Sequence, residues 1–135
     1  MTARPSNPID RFLAAGRFAV VGASPDRSKY GNKVLRCYLR HGRPVVAINP
    51  RQQEIEGVPC HASLRAVTPP PGAASIVAPP AAAAGIVADA IAAGVRHLWF
   101  QPGAEDAAAI ASAERAGIEV IAGGACVLVV LGYRD

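Results

Sequence analysis

The sequence predicts an α/β fold, a Rossmann-like three-layer sandwich with a mainly parallel sheet. Three observations carry that reading. Short, continuously apolar runs (Phe18–Val21, Val45–Ile48, Ala74–Ala78, Leu98–Phe100 and Val120–Ile121) alternate with stretches of helical spacing. Strands of that kind suit a parallel sheet covered on both faces. Gly42, Gly94 and Gly117 each precede one of these runs by two or three residues, as expected of the left-handed position just beyond a helix C-terminus. The first run breaks at Gly22 into a polar loop that leads into a helix. Strand, glycine-containing loop and helix together point backbone N–H groups and a helix dipole at a phosphate.

Taken in order, Asn7-Pro8 is an N-cap and first-turn pair. It opens a short helix carrying Ile9, Phe12 and Leu13 that ends at Gly16, with Asp10 and Arg11 on its exposed side. The strand Phe18–Val21 follows, then a loop with Ser24, Asp26, Arg27, Ser28 and Lys29. A helix starts near Gly31, with Val34, Leu35, Tyr38 and Leu39 as one buried stripe. Between Ile48 and Ala74 loop residues with Pro59 and Pro69 replace a helix, leaving room for one short strand near Val58–Cys60. The breaker Pro69-Pro70-Pro71-Gly72 leads into the strand Ala74–Ala78. An Ala-rich helix follows, with Ile86, Val87, Ala90 and Ile91 on one face and Asp89 outward. The last long helix covers about residues 105–116, headed by Glu105, with Ala107, Ile110 and Ala111 inward. The tail CVLVVL, Cys126 to Leu131, fits a strand or a helix equally well.

One domain accounts for all 135 residues, a length that buries roughly 65–70% of the unfolded surface. The net charge of +4 is spread along the chain, with no Lys/Arg run and few aromatics (three Tyr, three Phe, one Trp). That pattern excludes nucleic-acid binding as a leading function. Cys37, Cys60 and Cys126 are odd in number and lack a C-x-x-C pair, which argues against both a disulfide framework and a metal site. No signal-peptide pattern and no apolar run of roughly 20 residues is present. The expectation is a cytoplasmic protein without membrane contact.

Right-handed crossovers place the first strand beside the strand ending at Ala78, with the crevice at their carboxyl ends. Four segments converge there: Gly22–Lys29, Asn49-Pro50-Arg51, Ala78-Pro79-Pro80 and Gln101-Pro102-Gly103-Ala104. The dinucleotide fingerprint G-x-G-x-x-G is not satisfied. Ser24 replaces the second glycine, and Gly31 follows nine positions after Gly22. The acidic residue that would hold a ribose 2′-OH is replaced by Asn49-Pro50-Arg51. A cation there favours a phosphorylated ribose, as in NADP or coenzyme A, over NAD.

These residues also carry a family resemblance. VGAS with its basic loop, INPR (Ile48 to Arg51), E-I-x-G-x-P-C (Glu54 to Cys60), APP, and WFQPGA (Trp99 to Ala104) resemble the stand-alone CoA-binding proteins of the YccU type. The similarity runs from about Ile9 to Cys126. It extends to the nucleotide-binding domain of the succinyl-CoA synthetase alpha subunit. The resemblance implies that Gly22, Ala23 and Ser24 touch the diphosphate of CoA, with Arg27 and Lys29 supplying charge. It implies that Asn49, Pro50 and Arg51 hold the adenosine end, and that Pro79, Pro80, Gln101 and Gly103 line the pantetheine side. Ala78 stands where relatives often have Thr, and Gly123-Gly124-Ala125 leads into Cys126 without the expected Asn-Arg pair.

A ligase of that kind needs a phosphorylatable His from a further domain. Here His41 suits helix capping, His61 follows Cys60 in a loop, and His97 opens a strand at the edge opposite the crevice. Ser24 suits phosphate hydrogen bonding rather than attack, and Cys37 a buried apolar site. Cys126 is the thiol expected nearest a bound thiol cofactor. No paired carboxylates and no nucleophile–base pair are legible. The sequence therefore predicts non-catalytic binding of CoA or an acyl-CoA. Two alternatives stay open: an NADP-binding oxidoreductase or sensor, and a CoA-site subunit completed by a partner chain.

Overall fold

The computed structural model describes residues 7–133. Among them run α1 (Pro8–Leu13), β1 (Phe18–Val21), α2 (Tyr30–Arg40), β2 (Val45–Ile48), β3 (Glu54–Ile55), β4 (Val58–His61), β5 (Ala73–Ile76), α3 (Ala83–Ala93), β6 (His97–Phe100), α4 (Ala107–Arg115), β7 (Glu119–Ile121) and α5 (Val127–Leu131). Single 3-10 turns stand at Leu64–Ala66 and Pro80–Ala82. The sheet order is β3-β4-β2-β1-β5-β6-β7. All its pairs are parallel except β3 with β4. Set β3 aside and the order is that of a Rossmann sheet, with the reversal between β1 and β5.

The pleat divides the core. Ala19, Val21, Ala74, Ile76, Leu98 and Phe100 point to the face covered by α3 and α4. Phe18, Val20, Ala73 and Trp99 point to the face shared by α1, α2 and α5, as a period of two requires. Large aromatic rings fill this second face: Phe12 meets Trp99 edge-on at 5.3 Å and Phe18 stacks on Tyr38 at 5.1 Å. The Tyr38 hydroxyl reaches Ser75 Oγ at 2.6 Å, so both buried polar groups are satisfied.

Several expectations are corrected. Leu39 and Ile91 are exposed (38% and 43%) rather than part of the buried stripes. Both stand in the last turn of their helix; the buried apolar side chains are Val34, Leu35, Cys37 and Tyr38 in α2 and Ala83, Val87 and Ala90 in α3. The buried residues of α4 are Ala109 and Ala113, with Ile110 half-buried against the same core as expected, while Ala107 is exposed. The helix is set by Asp106, whose carboxylate caps the Ala109 amide at 2.9 Å; Glu105 lies before it. Strand β5 ends at Ile76, so Ala78 belongs to the loop beyond it. The tail Val127–Leu131 is a helix. Arg11 is not simply exposed: it forms a bidentate pair with Glu119 at the far edge of the sheet, at 2.7–3.1 Å.

Strand β3 stands where loop residues were expected. Glu56 (φ 52°) and Gly57 (φ 78°) make a two-residue turn joining β3 to β4. Positive φ at both central positions is the type I′ pattern, whose twist matches a hairpin. No helix of the described residues is long and apolar enough to cross a membrane.

Candidate functional site

The loop after β1 is held by its own short polar side chains. The Ser24 hydroxyl oxygen accepts from the Asp26 amide (3.1 Å), and Asp26 Oδ1 accepts from the Ser28 amide and hydroxyl (3.0 and 2.7 Å). The bonds from Ser28 hold the Asp26 carboxyl below its ordinary range. Because Ser24 accepts there, its own O–H remains able to donate elsewhere.

Two amide side chains clamp this loop from outside. Asn49 Nδ2 donates to the Ala23 carbonyl (2.9 Å), and Asn49 Oδ1 accepts from the Arg51 amide (2.8 Å). Asn49 thus ties the glycine loop to the Asn-Pro-Arg turn; it acts on the shape of the site through both ends of its amide. Asn32, fully buried on α2, donates to the Ser24 carbonyl (2.9 Å) and to Glu56 Oε2 (3.1 Å). Its own carbonyl accepts from Arg36 Nε at 2.6 Å, while Arg36 also donates to the Arg27 carbonyl at 2.9 Å. Neither Asn32 nor Arg36 stood out in the sequence. Their i, i+4 spacing on α2 was the available signal.

The four expected segments do converge at the carboxyl edge, around two cavities that share Ala78. The larger, about 400 Å³, lies between the ends of β1 and β2 and the first turns of α3. Gly22, Ala23, Asn49, Pro50 and Arg51 are on its wall. The second, about 260 Å³, is bounded by Tyr30, Val77, Ala78, Pro79, Pro102, Gly103 and Ala104. The Gly103 amide donates to Glu105 Oε1 at 2.8 Å. Backbone amides, its own and that of Gly103, hold the Glu105 carboxyl below its ordinary range, so Glu105 shapes this loop.

Other expected residues stand elsewhere. Gln101 is 1% exposed and reaches neither cavity wall. Its Oε1 accepts from the Val127 amide (2.9 Å) and faces the Tyr30 hydroxyl (3.4 Å), so it anchors α5. Pro80 is exposed in the 3-10 turn before α3. Arg27 pairs with Glu56 at 3.3 Å. Lys29 stands at the N-cap of α2, exposed. Asp89, expected to face solvent, lines the larger cavity. It accepts from Arg65 Nε at 2.6 Å.

The reactive side chains are placed by the same geometry. Cys126 occupies the N-cap position of α5, and burial together with a hydrogen bond to Cys126 pushes the Tyr30 phenol well up. Burial also pushes the Cys37 thiol up to about 11. His41 Nδ1 donates to the Cys37 carbonyl at the end of α2 (2.8 Å). His97 faces Glu119 at 3.5 Å on the amino edge. His61 is the last residue of β4 rather than a loop residue, and its carbonyl accepts from the Asn49 amide at 3.0 Å.

Comparison with known proteins gives this geometry a context. The CoA binding domain family matches residues 16–132. A conserved hypothetical protein from Pyrococcus furiosus is 38% identical, with a TM-score of 0.79 over 84% of this chain and 97% of that one. A dinucleotide-forming acetyl-coenzyme A synthetase 1 from Ca. Korarchaeum cryptofilum is 30% identical, with a TM-score of 0.73 over 79% of this chain and 25% of its own. An ADP-forming acetate–CoA ligase I from Archaeoglobus fulgidus is 36% identical over 56 residues, which is 42% of this chain and 8% of the ligase. The chain thus matches only a small part of either ligase. With the Rossmann order, the glycine loop and the family match over most of its length, the chain belongs to the CoA binding domain family.

Proposed function

We propose that this chain binds coenzyme A or an acyl-CoA in the crevice at the carboxyl edge of the sheet, without turning it over. The observation that carries this reading is the pair of cavities meeting at Ala78, one larger and one smaller, at the carboxyl edge of the sheet. The larger cavity suits a nucleoside in volume and apolar lining, with the Arg51 cation on its wall for a ribose phosphate. The smaller one suits a pantetheine arm between Pro79 and Gly103. Gly22 and Ala23 are on the wall of the larger cavity and Ser24 follows them, where a diphosphate would cross, with Arg27 and Lys29 as cations further along the same loop. Pro50, Pro79 and Pro80 fix φ and so limit the ordering cost of binding.

His41 caps a helix, His97 faces Glu119 at the opposite edge of the sheet, and His61, although it ends β4 at the carboxyl edge, is on the wall of neither cavity, which supports binding without turnover. A specific observation favours a second reading, in which this chain supplies its CoA site to a partner that carries the ligase chemistry. The ligases it resembles are far longer than the parts it matches.

A thermal melt with CoA, NAD and NADPH tests the proposal. At a hundredfold excess over Kd a ligand adds about 2.7 kcal/mol, a shift on the order of 8–10 °C for a domain of this size. CoA should shift the melt and NAD should not. A shift with NADPH alone overturns the CoA reading. Steady acyl-CoA hydrolysis that survives repurification overturns the non-catalytic part, and acyl-CoA synthesis appearing only with an added partner supports the second reading.

A further inference from the structure

The wall of the larger cavity is apolar except at Asn49, Arg51, Ser63 and Asp89. Asn49 is tied at both ends of its amide to the Ala23 carbonyl and the Arg51 amide. Asp89 is different. It stands one turn along α3 from Ile86, which lines the same cavity. Its Oδ1 accepts from Arg65 Nε at 2.6 Å, and Arg65 sits beside Leu64, another lining residue. The guanidinium fixes the carboxylate by one oxygen and leaves further lone pairs on a side chain that cannot donate.

A slot of apolar walls with an acceptor-only group suits a flat heterocycle that carries an exocyclic amine. A ring with a carbonyl at that position would set acceptor against acceptor and leave both groups unpaired, the arrangement that discriminates most strongly. Resting on the CoA reading above, we propose that Asp89, aligned by Arg65, reads the base: its carboxylate accepts a hydrogen bond from the exocyclic amine of adenine. The site then selects adenine over hypoxanthine.

The test compares CoA with its deaminated hypoxanthine analogue by calorimetric titration of the full chain. Wild type should prefer CoA by about tenfold or more, the range of one hydrogen bond to a charged group. Asp89→Ala should bring the ratio close to one, mainly by weakening CoA. Asp89→Asn keeps the shape but can donate as well as accept, so it should tighten the hypoxanthine analogue relative to wild type. Arg65→Ala should reduce the preference without abolishing it. An unchanged ratio in Asp89→Ala, or equal weakening of both ligands, overturns this proposal while leaving CoA binding intact. A wild-type chain that binds neither ligand overturns the CoA reading beneath it as well.

Discussion

A Cβ on Gly31 would overlap the carbonyl oxygen of Gly22. A Cβ on Gly22 would in turn lie 2.7 Å from the Val77 carbonyl oxygen, at a φ of +95°. The ends of β1 and β5 and the first turn of α2 therefore stack backbone on backbone. This contact brings α2 against the crevice even though the loop is too long for the usual dinucleotide fingerprint. Gly31→Ala should lower the urea midpoint by an amount equivalent to about 1–3 kcal/mol or more. Gly85, in α3 with open space around it, supplies the contrast: Gly85→Ala should raise stability by about 0.5–1 kcal/mol.

Arg51 is the residue expected to distinguish CoA from dephospho-CoA, which lacks only the ribose 3′-phosphate. A charge-assisted contact contributes roughly 1.5–3 kcal/mol. Arg51→Ala should weaken CoA by about tenfold to a hundredfold and leave dephospho-CoA nearly unchanged in the same titration. Lys29→Ala should weaken both together, since it stands on the glycine loop, where the proposed diphosphate would cross.

Arg27 pairs with Glu56 at 3.3 Å, so under the proposed CoA reading Glu56 would compete with the diphosphate for it. Glu56→Gln keeps an acceptor for Asn32 while removing the charge. CoA affinity should rise by about two- to fivefold at low salt, in line with an exposed pair. The gain should shrink at high salt as the charges are screened, which titration at two ionic strengths would show.

Cys37 gives a pH dependence with a definite sign. Burial raises its thiol from 9.0 to about 11 in the folded chain, so the core holds the protonated form. That stabilisation is complete below the unfolded value of 9.0 and is lost as pH rises toward 11. Denaturant midpoints should fall through this window, and Cys37→Ala should flatten its lower part. Tyr38, whose phenol burial also pushes up, should keep the decline going at higher pH in both proteins.

The sequence by itself determined the class of fold and which loops meet at the carboxyl edge of the sheet. Continuous apolar strands, the capping glycines at 42, 94 and 117, and the prolines at 50, 79 and 102 act through local backbone preference and burial pattern, which a linear string displays. The β3–β4 hairpin was also written locally, in the Glu56-Gly57 turn, but a Glu at positive φ is too uncommon to announce itself. Only the tertiary structure decided which polar groups face the crevice. Gln101 and Asp89 both lie on or beside strands and helices that reach it, yet Gln101 turns inward to the Val127 amide and Asp89 turns to the cavity and Arg65. Those choices depend on partners 26 and 24 residues away in the chain. A buried amide must find whichever donor the packed elements bring to it, and no local pattern states which one that will be.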